Sequence, residues 1–194
     1  MTLQEFITQS IDLAIAGSDP DASIIQKFTL EAESLVDPVF HQLVTEVRGD
    51  QRLRARCMKQ FSITLTSGVG SIPATLMVEY IGEGSVRDSD SGASNGIGNY
   101  LSRVLHETDF IAYPSPYLFG LYWIGADTNG AAVIKTRQVN TGSLTDTVGD
   151  LVVVAPRTPT KAQIAELDAE VTDRGLELMA LRLRGLIPGV EAAD

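Results

Sequence analysis

The chain has 194 residues, of which 44% are hydrophobic, 21% charged and 6% aromatic, and this length and composition exclude disorder throughout and indicate a folded globular protein. No stretch reaches the ~18 consecutive apolar residues of a membrane span, and the opening residues lack the basic segment of a secretory signal. The formal net charge of -10 argues against a free-standing nucleic-acid-binding protein, because neutralising phosphates requires a cationic face.

The chain has few side chains that could bind a metal or form a disulfide. Cys57 is the single cysteine, and His41 and His106 are the two histidines. A lone cysteine excludes an internal disulfide, and we expect neither a metal site nor a cofactor. Nearby cations favour a thiolate at Cys57, but no second cysteine exists to resolve it, so we expect a half-buried structural residue. We expect His41 to be partly buried on a helix.

Residues 1–59 are predicted to form two or three packed helices. Apolar residues recur at helical spacing from Leu3 to Ile15, and the sequence Gly17–Pro20 ends that run. A second apolar stripe follows from Ile24 to Val47. Pro38 interrupts this stripe, and we expect a kink or a break there because proline removes an intrahelical hydrogen bond.

Residues 60–156 are predicted to form a β-rich part. Phe61–Thr66 alternates apolar and hydroxyl side chains, which indicates a half-buried strand, and Ser67–Gly70 has the composition of a turn. A short helical turn is expected within Ala74–Ile81, followed by a short strand at Val86. Residues 87–99 are almost wholly Asp, Ser, Gly and Asn, which predicts a long mobile loop.

An aromatic hairpin is expected from Tyr117–Ile124 pairing with Ala131–Thr136, and Asp150–Ala155 is a further strand. Both faces of the first hairpin strand are apolar or aromatic, which indicates burial on both sides. Either the chain's own helices or an oligomer interface would supply that burial. The candidate interface residues are Tyr117, Phe119, Tyr122 and Trp123.

A long C-terminal helix is predicted over residues 160–185. Thr160 and Gln163 have the spacing of a capping box, and Gly185 is a candidate C-cap. Gly175 weakens the middle of this helix, so we expect close packing against a neighbour there. Residues 186–194 form a tail. The sequence therefore predicts a single α+β domain over residues 1–194, with N-terminal helices, a small antiparallel sheet and a long C-terminal helix.

One dense basic run stands out in this acidic chain, and three interpretations of it are open. It could be a solvated face, it could pair with acidic residues of a neighbouring subunit, or it could face DNA that passes transiently. Its arginines would share one face if the segment were extended and would fan over a wider arc on a helix. The run consists of Arg48, Arg52, Arg54, Arg56 and Lys59.

Three motifs resemble chemical sites, but each has a simpler interpretation. Ser94 lies in a G-x-S-x-G pattern without the flanking strand and helix that a nucleophile elbow needs. Asp88–Gly92 lacks the ligand spacing of a calcium loop. His106, Glu107 and Asp109 could form an acid–base pair, but a polar turn is the simpler interpretation. We therefore expect that the protein is not an enzyme.

The order of elements resembles that of small virion proteins of tailed bacteriophages that form the head-to-tail connector. The likeness rests on the helices ending at Arg48–Arg56, on the strand, glycine turn and Ile-Pro of residues 61–73, and on the C-terminal helix. It implies a non-enzymatic subunit of a homo-oligomeric ring, often twelve-fold. Such a ring would bridge portal and tail, allow genomic DNA to pass, and reside in the virion after synthesis in the host cytoplasm.

A different class of function stays open from the residues themselves. The chain could be a non-enzymatic binding or scaffolding module with a protein or small-molecule partner, and its pocket would then lie near the aromatic hairpin. Neither interpretation involves a membrane. The two differ in the oligomeric state that they require.

Overall fold

The computed structural model describes residues 1–18, 21–88, 100–112, 120–138 and 150–186. The chain divides into two compact units, which are a helical unit (Met1–Cys57 and Thr158–Asp194) and a β unit (Met58–Arg157). The two ends of the chain thus belong to the same unit. The predicted α+β class is confirmed. The described helices are α1 Leu3–Ile15, α2 Ala22–Gly49, α3 Gln51–Arg56, α4 Glu107–Ala112 and α5 Ala169–Arg184.

Side-chain caps define where the helices of the helical unit begin. The Thr2 hydroxyl accepts a hydrogen bond from the Glu5 backbone N–H, and the Glu5 carboxylate accepts one from the Thr2 backbone N–H, so the two residues form a capping box. An aspartate caps each of the other three helices by accepting hydrogen bonds from first-turn N–H groups: Asp21 caps α2, Asp50 caps α3 and Asp168 caps α5. Each helix therefore begins at a local signal in the sequence.

Pro38 does not end helix α2, so of the two alternatives predicted there, a kink or a break, the break is wrong. The helix runs from Ala22 to Gly49 with Pro38 inside it. Val36 and Val39, on either side of the proline, are both buried. Packing of the flanking turns therefore outweighs the lost intrahelical bond, as is usual when a helix is stabilised mainly by its apolar face.

The C-terminal helix begins nine residues later than predicted. Thr160 makes no side-chain cap, and Lys161–Glu166 is a 3-10 segment in which Gln163 has non-helical dihedral angles. Helix α5 instead starts after Asp168, whose carboxylate accepts a 3.0 Å bond from the Glu170 N–H. The predicted end is confirmed, because the Gly185 N–H donates to Leu181 O at 3.1 Å.

Helix α5 packs closely against α1 and α2 at Gly175, as its sequence predicted. A Cβ atom added at Gly175 would lie 3.2 Å from Cε2 of Phe6 and 3.5 Å from Cδ2 of Leu43. Phe6 is itself held against Phe40, with ring centroids 5.7 Å apart. The absence of a side chain at Gly175 is what allows the three helices to meet at this depth.

We predict that Gly175→Leu destabilises the protein by about 2 kcal/mol or more, because overpacking forces buried aromatic and leucine side chains out of their rotamers. The matched control is Gly49→Leu, since nothing lies within 4 Å of a Cβ atom at Gly49. That control should change stability by less than ~0.5 kcal/mol. Urea unfolding followed by circular dichroism measures both. Equal losses in the two variants would contradict the close approach at Gly175.

The described strands of the β unit are β1 Met58–Ile63, β2 Val69–Ser71, β3 Val86–Asp88, β4 Ser102–Val104, β5 Gly120–Ala126, β6 Ala132–Gln138 and β7 Leu151–Pro156. They form two sheets, one with the order β1-β7-β3 and the other with the order β2-β6-β5-β4. All pairs among them are antiparallel except β4 with β5, which is parallel. The expectation of one antiparallel sheet is therefore corrected, although the predicted β5–β6 hairpin is confirmed.

In the β unit, the turns lie closer to their predicted positions than the ends of the strands do. Ser67 and Gly68 both have positive φ, at 51° and 73°, and form the tight turn between β1 and β2. The predicted helical turn is a 3-10 segment, Val78–Tyr80. The expected loop 87–99 is wrong at its start, because Arg87 and Asp88 belong to β3, where they pair with β7. Its remaining residues lie outside the described ranges.

Candidate interaction sites

The basic run does not form one face, because Gln51–Arg56 is a helix. Arg52 and Arg56 are one turn apart and both bind Glu170 of α5, with Nε–Oε2 at 3.2 Å and Nη2–Oε1 at 2.9 Å. The hydrogen bond to Glu170 raises the pKa of Arg56 above its usual value. Two of the predicted arginines are therefore paired with a carboxylate of their own chain.

The other members of the basic run lie apart from this pair. Arg54 donates from Nη1 to the Arg48 backbone carbonyl at 2.7 Å, across the junction of α2 and α3. Arg48 is exposed in the last turn of α2, where a cation also stabilises the helix dipole. Lys59 is exposed on β1, in the β unit. The run is thus divided among several local roles.

A second ion-pair group joins α2 to α5 beside the first. Arg174 donates to both oxygens of Glu46, at 2.6 and 3.1 Å, and from Nη1 to Glu177 at 2.8 Å. The bond from Arg174 holds the pKa of Glu46 below its usual value. Bidentate pairing of this kind fixes the orientation of the two helices as well as their charges.

An open cleft of about 690 Å³ lies between α2, α3 and α5, and carboxylates dominate its lining. Five of its lining residues are acidic and two are arginines that already bind carboxylates. A polyanion such as DNA would meet net repulsion in this cleft. The lining residues are Glu46, Gly49, Asp50, Arg52, Leu53, Glu170, Asp173, Arg174 and Glu177.

We predict that the coupling between Glu46 and Arg174 is lost on acidification. Because the pKa of Glu46 is lowered in the folded state, its contribution is present above the unfolded pKa and disappears as the pH falls through the folded pKa. A double-mutant cycle of Glu46→Gln and Arg174→Met should give a coupling of about 1 kcal/mol or less at pH 7. Urea unfolding measures it between about pH 7 and pH 2. A coupling that is the same at both ends would contradict this assignment.

The aromatic hairpin has both faces covered by residues of the β unit. Tyr122 is fully buried, and its hydroxyl donates to Gly82 O at 2.6 Å. Burial raises the pKa of Tyr122 to about 12. On the opposite face, Leu121 and Trp123 pack with Phe110 of α4. Tyr122 is therefore a core residue, and a substitution there would act first on the fold. Tyr117 and Phe119, predicted with it, lie outside the described residues.

Trp123 is half-buried, and its ring lies between Lys135 and Gly125. Lys135 places its Nζ 4.9 Å from the ring centroid of Trp123, and the same Nζ lies 2.7 Å from Oε1 of Glu107. A Cβ atom added at Gly125 would collide with the Trp123 ring, so the ring lies directly over that glycine. Trp123 is thus fixed in position beside α4.

Polar contacts also hold α4 on the hairpin, and two apolar side chains beside the buried Phe110 are left exposed. Arg137 of β6 donates to the carbonyl oxygens of Phe110 and Ile111 at 2.8 and 2.6 Å, in the last turn of α4. Leu105, just before the helix, is 71% exposed, and Ile111 is 63% exposed. We use the name α4 corner for the three exposed residues Leu105, Asp109 and Ile111 at this short helix.

A second apolar surface, which the sequence did not reveal, lies between α1 and α5. Leu13 and Leu181 are 40% and 54% exposed and line a groove of about 260 Å³ together with Glu177, Ala180 and Arg184. We call it the α1–α5 groove. Its exposed leucines give no separate signal in the sequence, because apolar residues at helical spacing indicate a packing face whether or not a neighbour covers it.

The remaining predicted motifs have different outcomes. Ser94 lies outside the described residues, as does most of the calcium-like segment. His106 and Asp109 are exposed. Cys57 is buried, whereas His41 is exposed, so its expected partial burial is wrong. Glu107 pairs with Lys135.

Within the described ranges, no helix is both long enough and apolar enough to cross a membrane, and no three His, Cys, Asp or Glu side chains are grouped so as to hold a metal ion. Neither a protein-family model nor a curated protein matches this sequence.

We predict that Gly125→Ala displaces the Trp123 ring and destabilises the protein by about 1–2 kcal/mol, because a methyl group cannot share the space of the indole. Trp123 is the single tryptophan, so its fluorescence emission should move to longer wavelength as the ring becomes more exposed. Gly82→Ala is the matched control, since a Cβ atom there meets nothing within 4 Å. An emission spectrum unchanged by Gly125→Ala would show that the ring does not cover Gly125.

Proposed function

We propose that this chain is a non-enzymatic structural subunit of a homo-oligomeric ring in the head-to-tail connector of a tailed phage. In this role it would belong to the virion, bridge the portal and tail proteins, and allow genomic DNA to pass. The resemblance in the order of elements supports the proposal. The observation that carries it furthest is that each unit exposes its own apolar surface, the α4 corner on one and the α1–α5 groove on the other.

A closed ring requires two different surfaces on every subunit. Ring neighbours make heterologous contacts, in which one patch of a subunit meets a different patch of the next. Four aliphatic side chains are exposed, Leu105 and Ile111 in the β unit and Leu13 and Leu181 in the helical unit, and their exposed fractions run from 40% for Leu13 to 71% for Leu105. Their burial between copies would supply the hydrophobic free energy of assembly.

The charge of the chain is compatible with a passage for DNA. The net charge is -10, and Arg52, Arg56 and Arg174 are bound to carboxylates of the same chain. An acidic lining weakens DNA binding, so DNA could move through such a ring without being retained.

Light scattering on the purified chain across a concentration series tests the proposal, with negative-stain electron microscopy of the largest species. We expect the mass to rise with concentration to a closed oligomer whose particles are rings. A monomer or dimer that ignores concentration would contradict ring formation. That result would instead favour the second class of function, a binding or scaffolding module with a protein or small-molecule partner.

A further inference from the structure

We propose that Asn129 is a latent site of deamidation and that Asp127 protects it in the folded protein. The chain has two Asn-Gly pairs, Asn95–Gly96 and Asn129–Gly130, and the second lies in the turn between β5 and β6. Asparagine followed by glycine is especially prone to deamidation, because glycine has no side chain to hinder attack by its backbone nitrogen. The reaction requires only water and is independent of ring assembly.

Deamidation at this position is an attack of the backbone on the preceding side chain. The Gly130 nitrogen forms a bond to Cγ of Asn129, the side-chain amide nitrogen leaves as ammonia with the proton from Gly130, and a five-membered succinimide closes. Water then opens this ring at either of its carbonyl groups. The product is an aspartate or an isoaspartate, in which the main chain runs through the side-chain carbon atoms. No group is oxidised or reduced.

Three hydrogen bonds of the turn oppose this attack. The Gly130 N–H donates to the Asp127 backbone carbonyl at 3.0 Å, and Gly130 has a φ of 81°. Oδ1 of Asp127 accepts from the N–H groups of Asn129 and Ala131, at 2.8 and 2.9 Å. One carboxylate oxygen thus binds the N–H groups on both sides of the attacking nitrogen. To reach Cγ, the peptide between Asn129 and Gly130 must rotate, and that rotation breaks these bonds.

Modification would affect more than the turn, because this turn sets the register of the β5–β6 hairpin. Ala126 pairs with Ala132 directly beside it. An isoaspartate at Asn129 lengthens the main chain by a carbon atom, which the tight turn does not accommodate. Tyr122 and Ile134 belong to the same hairpin and are fully buried, so a change of register would move core side chains.

The test is to incubate the full chain in mildly alkaline buffer and to measure deamidation by proteolysis and mass spectrometry. Rates at Asn129 are expressed relative to Asn95 in the same sample, and urea-denatured wild type gives the unprotected ratio. We expect the folded wild type to deamidate at Asn129 roughly tenfold more slowly or less than the denatured chain, because attack requires local opening of the turn. Asp127→Ala should recover most of that factor while circular dichroism shows that it stays folded.

Thr128→Ala is the matched control, since Thr128 is exposed in the same turn and takes no part in the three bonds. It should deamidate like the wild type. Asp127→Asn keeps an acceptor oxygen in place and should retain most of the protection. Equal rates in folded and denatured wild type would overturn the proposed protection, and this comparison needs no variant. A rate in Asp127→Ala no faster than in Thr128→Ala would overturn the role of Asp127.

Discussion

The close approach of α5 to α1 and α2 at Gly175 is the constraint on which the helical unit depends. A side chain at that position would meet Phe6 and Leu43, so the depth of packing is set by one missing Cβ atom. Because α5 packs at this position, Arg174 forms an ion pair with Glu46, and Glu170 forms one with Arg52. The α1–α5 groove exists for the same reason. This unit combines residues 1–57 with residues 158–194, so its packing depends on contacts between segments that are distant in sequence.

Local signals in the sequence predicted most helices, turns and the β5–β6 hairpin, because periodicity and capping act over a few residues. Competition between signals was harder to predict. Asp168 caps α5 in place of Thr160, and tertiary packing carries α2 through Pro38. Partners distant in sequence were not predictable. Glu170, which binds Arg52, lies 118 residues away, and no local pattern indicates that β4 pairs with β5 in parallel.

The same distinction applies to the interaction surfaces. Residue types can be seen in the sequence, whereas the exposure of a side chain depends on neighbours that are distant in sequence. The sequence drew attention to an aromatic cluster, yet its described members are fold residues. Tyr122 is buried, and Trp123 is packed against α4. The exposed aliphatic residues of the α4 corner and the α1–α5 groove could be identified only from the structure, because their exposure depends on which neighbouring residues cover them. They carry the proposed assembly because burial of aliphatic area is the main source of association free energy.

Native mass spectrometry of the wild-type chain tests the central claim most directly, because it counts subunits. The heterologous contact proposed for this chain predicts one dominant complex with a fixed whole number of subunits, together with free monomer at low concentration. Monomer alone, or a dimer as the largest species, would contradict it. A continuous ladder of sizes would equally contradict it, since contacts that do not close produce filaments instead of rings.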